Sequence, residues 1–367
     1  MIVILSLLVW LYLIFLHGNF WESEIELKPA KPLTIPDVDI IVPARDEAAL
    51  IGPVIASLLA QDYPGDVRII LVDDNSTDGT AAAAGEHPRL TIITGTPKPA
   101  GWAGKLWALS QGVAASTAPL IFFTDADITH DPRHLSTLVT RLNTPRVDMV
   151  SEMVRLNCTS WPERLLIPAF VYFFQMLYPF AQVNDPRARM AGAAGGTVLL
   201  RREALRRIGG LEALKGTLID DVALARAVKK NGAIYLGHSG LAQSIRPYPR
   251  TRDIWDMIAR SAFTQLNYST LILAGTILGL SLVWLVAPCA ILFSTPFSWR
   301  FYAGLATYGL AIFSYRPTLL RYNQPLYLAL ALPGIAVFYM AATLASAMHY
   351  WRGTGATWKS RAYGGAK

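Results

Sequence analysis

Arg68-Ile69-Ile70-Leu71-Val72-Asp73-Asp74-Asn75-Ser76-Thr77-Asp78-Gly79-Thr80 passes from an aliphatic run straight into carboxylates, hydroxyls and a glycine. The first half predicts a buried strand, and the second half predicts a polar turn that opens a helix over 78–85. The same grammar recurs on both sides. Upstream, a strand over 38–42 ends in Pro43-Ala44-Arg45-Asp46-Glu47, followed by a helical pattern over 48–60. Downstream come strands over 90–94 and 120–124, a helix over 105–115 between them, and then Asp125-Ala126-Asp127. Alternating strands and helices with polar turns predict an α/β domain, a mainly parallel sheet covered on both faces. Ligands of such sheets sit at the carboxyl ends of the strands, where these acidic clusters fall.

Asp78 or Ser76 can cap the helix after this turn. Capping does not account for adjacent Asp73 and Asp74, whose mutual repulsion favours a base N–H, a ribose hydroxyl or a cation as partner. At a strand end, Asp125 and Asp127 project the same way. One carboxylate can hold a ribose hydroxyl while the other binds a hard divalent cation, Mg²⁺ or Mn²⁺, completed by substrate phosphates. The cation would neutralise a departing diphosphate.

A second constellation lies further along the chain. Gly192-Ala193-Ala194-Gly195-Gly196-Thr197 leads into a strand-like Val198-Leu199-Leu200-Arg201. These glycines admit a close backbone approach to a ligand, or form a tight turn. Leu218-Ile219-Asp220-Asp221 then opens a helix over 222–230, with Gly232 beyond its end. Asp220 is a candidate N-cap, and Asp221 in the first turn is kept ionised by the helix dipole. An ionised carboxylate there suits a general base for an acceptor hydroxyl. His130, three residues after Asp127, could approach a metal but reads rather as a surface histidine, and His238 is ambiguous in the same way.

The chain has 367 residues, 53% of them hydrophobic and 16% charged, with a formal net charge of +7. Its mean hydropathy is +0.33. The charge deficit gathers at the ends. Residues 1–21 read as an uncleaved membrane anchor and 22–37 as a linker, with Lys28 and Lys31 placing the next domain in the cytoplasm. Residues 38–268 form the α/β domain, 269–351 a transmembrane region and 352–367 a basic tail. Within the second apolar region, 270–293 is long enough to span a bilayer, 301–315 is short, and 322–351 is long enough with Pro333 inside. Treating 301–315 as interfacial or re-entrant gives two crossings and returns the tail to the cytoplasm. Segment 162–183 is aromatic enough to pass for a span. Crossing there would split the motifs across the membrane, so an interfacial helix or plain core is expected. No basic helix or aromatic-basic ribbon supports nucleic-acid binding. Cys158 and Cys289 give neither a disulfide framework nor zinc spacing.

The order P-A-R-D-E, V-D-D-N-S-T-D-G-T, D-A-D, G-G-T and D-D resembles the family 2 glycosyltransferases, inverting enzymes of the GT-A fold, over about Asp39 to Arg260. That resemblance implies a nucleotide-sugar donor, a UDP-sugar, contacted by Pro43, Arg45, Glu47, Asp73 and Asp74. It also implies Asp125 at the diphosphate, Asp127 at the metal and Asp221 as the base. Asp220 stands where the family has Glu. Of the Q-x-x-R-W motif of processive members only Arg260 survives. Lys105, in Gly101-Trp102-Ala103-Gly104-Lys105, falls where many members carry Gly-Lys near the donor phosphates; a solvent lysine is the alternative. The flanking spans, the aromatic segment and Trp358-Lys359-Ser360-Arg361-Ala362-Tyr363 look most like the hopene-associated glycosyltransferases, relatives of the ceramide glucosyltransferases. This implies a hopanoid or similar lipid acceptor and a multi-pass protein of the inner (cytoplasmic) membrane with its catalytic domain in the cytoplasm. A polysaccharide synthase of the same fold, and a catalytically silent membrane scaffold or lipid transporter, are the rival readings.

Overall fold

Eight runs rich in β-branched and aromatic residues pair as strands: β1 (Val38–Ala44), β2 (Val67–Asp73), β3 (Leu90–Thr94), β4 (Leu120–Thr124), β5 (Ile128–His130), β6 (Val147–Arg155), β7 (Thr197–Arg201) and β8 (Ala233–Ser244). The computed structural model describes residues 1–217 and 220–353, and the backbone of 357–358 and 361–362; of Asp220 it describes the backbone alone. The tail motif over 358–363 lies largely outside the described residues.

The strands form one sheet in the order β3-β2-β1-β4-β7-β6-β8-β5. The first four are parallel. β7 runs antiparallel to β4 and β6, and β5 antiparallel to β8, while β6 and β8 are again parallel. The sheet is thus mostly parallel, with two reversed strands. Every residue of β1 and β4 is buried, as expected of central strands covered on both faces. The register sets Ala44 beside Asp73 and Ile41 beside Phe123, so the acidic turns after β1, β2 and β4 share one edge.

Most expected boundaries are met within two residues. The helix expected over 78–85 shrinks to Thr80–Ala83, because Gly79 and Gly85 adopt φ of +87° and +73° and bracket it. The helix Asp220–Lys229 begins with Asp220, so this residue is the first helical position rather than a cap outside it.

The apolar ends assemble into one helical unit. Ile2–Phe15 is shorter than the expected anchor, because the chain turns at Gly18 and Asn19, both at positive φ. Its Ser6 Oγ donates to Leu282 O (2.8 Å) and Trp10 Nε1 to Val283 O (2.9 Å). The expected span over 270–293 is broken into Thr270–Trp284 and Val286–Phe293, bent by 46°. Pro288 offers no N–H to the carbonyl of Trp284 and clashes with it, which places the break. The segment expected to be short, 301–315, lies within the helix Trp299–Arg321 of 23 residues. At about 1.5 Å per residue it is roughly 34 Å long. Among the described residues, one helical stretch, Leu326–Trp351, has the length and composition to cross a membrane, or two if the bent pair counts as one.

Segment 162–183 forms the helices Trp161–Leu177 and Phe180–Asn184. A capping box between Ser160 and Glu163 starts the first. Its aromatic side is covered by protein rather than open. Tyr172 is fully buried with its hydroxyl 2.6 Å from Ser314 Oγ, and Phe173 stacks edge-on to Trp284 and Tyr339 at 5.5 and 5.0 Å. Apolar residues here join the α/β domain to the helical unit, which is why the sequence carries so many in one stretch.

Candidate active site

The turn after β1 is clamped to the turn after β2. Asp46 adopts φ +51° and its carboxylate accepts from Thr77 N (2.9 Å), while its N–H donates to Ser76 Oγ (2.9 Å). Glu47 N donates to Thr80 Oγ1 (2.8 Å). Asp78 accepts from Thr80 N (3.0 Å) and from Ala48 N (2.9 Å), so it satisfies the first turns of two helices at once. Asp73 is tied back to Ser76 N (3.2 Å) and Ser76 Oγ. Asp74 is fully buried; Arg45 Nη1 donates to its carbonyl at 2.6 Å and lies 3.6 Å from its carboxylate. Pro43, the penultimate residue of β1, borders a cavity together with Lys105 and Asp125. The residues expected to contact a nucleotide therefore form one preorganised wall.

Across the cleft, Lys105 is no solvent lysine. Its Nζ lies 2.6 Å from Asp125 Oδ1. Lys105 enters on the first turn of the helix Gly104–Ala115, which packs across β1 and β2. The Gly192–Gly196 turn faces it. A Cβ on Gly195 would meet Asp221 Oδ2 at 3.2 Å and Lys105 Nζ at 3.3 Å, so this position has no room for a side chain. Pro43, Lys105, Thr124, Asp125, Gly195 and Asp221 border one cavity, whose remaining walls are apolar. The structure thus brings together the D-A-D turn, the glycine turn and the helix carrying Asp221.

Sequence reasoning missed Arg246. It follows β8, and its Nε donates to Asp127 Oδ2 while Nη2 donates to Glu47 Oε1, each at 2.5 Å. Burial and repulsion from Asp125 push Asp127 upward from its ordinary pKa, against the pull of Arg246. No local motif flags Arg246, since its partners are remote in sequence. Only the pairing of β8 with β5, which sets Ile128 opposite Ser244, brings Arg246 alongside Asp127. Arg260, in contrast, is exposed at the C-terminal end of the helix Thr251–Ala259 and does not border the cavity. His130 and His238 are both buried, at 5% and 1% exposure, so neither is a surface histidine, and neither borders the cavity.

Among the described residues no three His, Cys, Asp or Glu side chains cluster as a complete metal site. Two carboxylates two residues apart nonetheless fit a hard cation that takes its remaining oxygens from a bound diphosphate. Asp127, with Asp125, would hold it.

Residues 39–209 match the family model of glycosyl transferase family 2. A β-monoglucosyldiacylglycerol synthase of Nostoc sp. is 25% identical over 276 residues, covering 68% of this chain and 55% of that protein. A 4,4'-diaponeurosporenoate glycosyltransferase of Staphylococcus aureus is 38% identical over 90 residues, 24% of each chain. The matches thus span about half or less of these relatives' length. Among solved structures, the mannosyltransferase PcManGT from Pyrobaculum calidifontis, in complex with GDP-Man and Mn²⁺, superposes with a TM-score of 0.57. It is 21% identical, over 95% of this chain and 97% of that one, a likeness of fold. The chain carries a glycosyltransferase domain of GT-A-like α/β fold.

Proposed function

We propose that this chain is a membrane-bound, inverting glycosyltransferase that moves a sugar from a nucleotide-sugar donor, a UDP-sugar, onto the hydroxyl of a lipid at the cytoplasmic face of the membrane. The observation that carries this reading is the convergence of Lys105, Asp125 and Asp221 on the Gly195 turn. It sets a cation, a diphosphate-side carboxylate and a second carboxylate across a single cleft beside the nucleotide wall.

In this reading Arg45, Glu47, Asp73 and Asp74 receive the nucleotide. Asp221 takes the proton of the acceptor hydroxyl as its oxygen attacks the anomeric carbon in line. The bond from that carbon to the diphosphate oxygen breaks, and the electron pair leaves with the diphosphate beside Lys105. Configuration inverts because one displacement occurs. A divalent cation held by Asp127 with Asp125 supplies further charge neutralisation when bound. Asp220 flanks the base, and Arg260 stands at the outer rim towards the helical unit.

A lipid acceptor is supported by the helical unit, whose outward face exposes Leu8, Leu278, Leu292, Phe293 and Leu305. Exposed apolar surface of this extent marks a membrane contact. The Nostoc relative is named a β-monoglucosyldiacylglycerol synthase and the Staphylococcus one a 4,4'-diaponeurosporenoate glycosyltransferase. A hopanoid or similar polycyclic lipid is our reading of the acceptor, and the inner membrane our reading of the location. The test is lipid analysis of a deletion strain beside donor screening with the purified chain. One glycolipid should vanish from the strain, and the purified protein should form it from a nucleotide-sugar. A strain that loses no glycolipid, with a protein that transfers to no lipid, overturns the reading.

A further inference from the structure

From Ser239 to Thr124 on the cavity wall, a chain of buried polar side chains runs through the sheet. Ser239 Oγ donates to Glu152 Oε2 (2.8 Å), and His134 Nε2 lies 2.8 Å from the same oxygen. His134 Nδ1 lies 2.9 Å from His130 Nδ1, with the two rings stacked at 5.0 Å. His130 Nε2 lies 3.0 Å from Thr124 Oγ1, which donates to Gly196 O at 2.9 Å. None of these side chains is more than 5% exposed. Buried polar groups this far from water must satisfy one another, so the direction of each hydrogen bond can be worked out.

Thr124 spends its only proton on Gly196 O, so His130 Nε2 must carry a proton and donate to Thr124. Burial and the neighbouring His134 push the pKa of His130 well down, which keeps this ring neutral and its Nδ1 bare. His134 must therefore supply the proton between the two Nδ1 atoms. Its Nε2 faces the carboxylate of Glu152, an acceptor. The hydrogen-bond count thus makes His134 a donor at both nitrogens, one proton beyond two neutral histidines.

The far end of the chain matters for the reaction. Gly196 adjoins Gly195, the residue wedged against Asp221 and Lys105. The same turn hangs from β6, where Ser151 Oγ bonds both the N–H and the carbonyl of Ala194 at 2.9 and 3.0 Å. The structure assigns Glu152, His134, His130 and Thr124 a positioning role: a second proton on His134, donated to Glu152, fixes the Thr124 hydroxyl on Gly196 and so sets the glycine turn against Asp221 and Lys105. This rests on the transferase reading only for what the turn does, not for the relay itself.

Two measurements on the full chain in detergent test it. Histidine-selective ¹⁵N spectra, assigned by His130→Gln and His134→Gln, should show His134 protonated on both nitrogens at neutral pH and His130 on Nε2 alone. Glu152→Gln should return His134 to a neutral ring. A neutral His134 in the wild-type chain overturns the relay. Thr124→Val should lower kcat about 10- to 100-fold, the scale of a misplaced reacting group, with donor KM nearly unchanged, and Thr124→Ser should restore most of it. Full kcat in Thr124→Val, or equal loss in Thr124→Ser, overturns the positioning role. If the histidine spectrum holds but the wild-type chain glycosylates no lipid, the acceptor reading fails and the relay stands, with donor hydrolysis as the readout.

Discussion

Arg246 and Asp127, 119 residues apart, form an ion pair with Nε 2.5 Å from Oδ2, and the same guanidinium reaches Glu47. One cation thus balances two carboxylates that would otherwise repel at the mouth of the nucleotide wall. Removing one partner of a buried pair typically costs about 3–5 kcal/mol; with Arg246 partly exposed, we expect about 2 kcal/mol for Arg246→Met. Thermal unfolding should show the loss, and nucleotide affinity should fall with it. An unchanged midpoint would mean that water screens the two acids unaided.

Asp127→Ala should remove the metal dependence of nucleotide binding, because no other described carboxylate pair offers i and i+2 oxygens at this edge. Titration calorimetry with the nucleoside diphosphate, with and without Mn²⁺, reads this directly. Equal enhancement by Mn²⁺ in both proteins would place the cation elsewhere.

For Asp221→Asn we expect transfer to fall about 10²–10⁴-fold, the usual contribution of a general base, with donor affinity nearly intact. The carboxamide keeps the shape beside Gly195 but cannot take a proton. More than about a tenth of the wild-type rate in this variant would assign the base to another residue.

The range of each interaction decides how much of the fold and site was legible in the sequence. The strands and the acidic turns after β1, β2 and β4 were readable because aliphatic runs and turn chemistry are local. Lys105 stood out by its glycine context, and its ammonium lies beside Asp125. Arg246, and the chain from Glu152 to Thr124, were illegible because their partners meet only when β6, β8 and β5 pair. The break at Leu285 had a visible cause in Pro288, which the hydropathy of the segment concealed. The aromatic stretch around Phe173 looked like a membrane surface because a helix buried under other helices has the same composition.

Asp39 gives the domain a pH-sensitive anchor away from the site. Burial works against its charge. The Arg68 guanidinium, the Ala118 N–H, the Ser116 hydroxyl and the Thr117 N–H outweigh burial and bring its pKa down to about 2. A depressed carboxylate contributes stability that is complete above its unfolded value of 3.8 and is lost as pH falls towards 2. The shift corresponds to about 2–3 kcal/mol at neutral pH. Asp39→Asn should lose that amount at pH 7 and flatten the acid limb of the stability curve between those two values. Parallel acid limbs for the two proteins would assign the acid sensitivity to other groups.

The end of the chain should lie on the same side of the membrane as the α/β domain. Tyr268 stands where the chain leaves that domain for the helix Thr270–Trp284, and Tyr350 where the helix Leu332–Trp351 finishes. Their rings stack with centroids 4.5 Å apart. Phe263, still within the domain, also packs on Tyr350 and Trp351. The departure and the return of the helical region therefore lie together, which requires an even number of crossings between them. Arg321, at the end of the intervening helix, is likewise paired with Glu26 of the linker rather than displayed at a far surface. Both features agree with the pull of cationic residues towards the cytoplasm. A reporter fused after Lys367 should be active in the cytoplasm and silent outside. Activity confined to the outer side would require an odd count, and with it a helical region that parts Tyr350 from Tyr268.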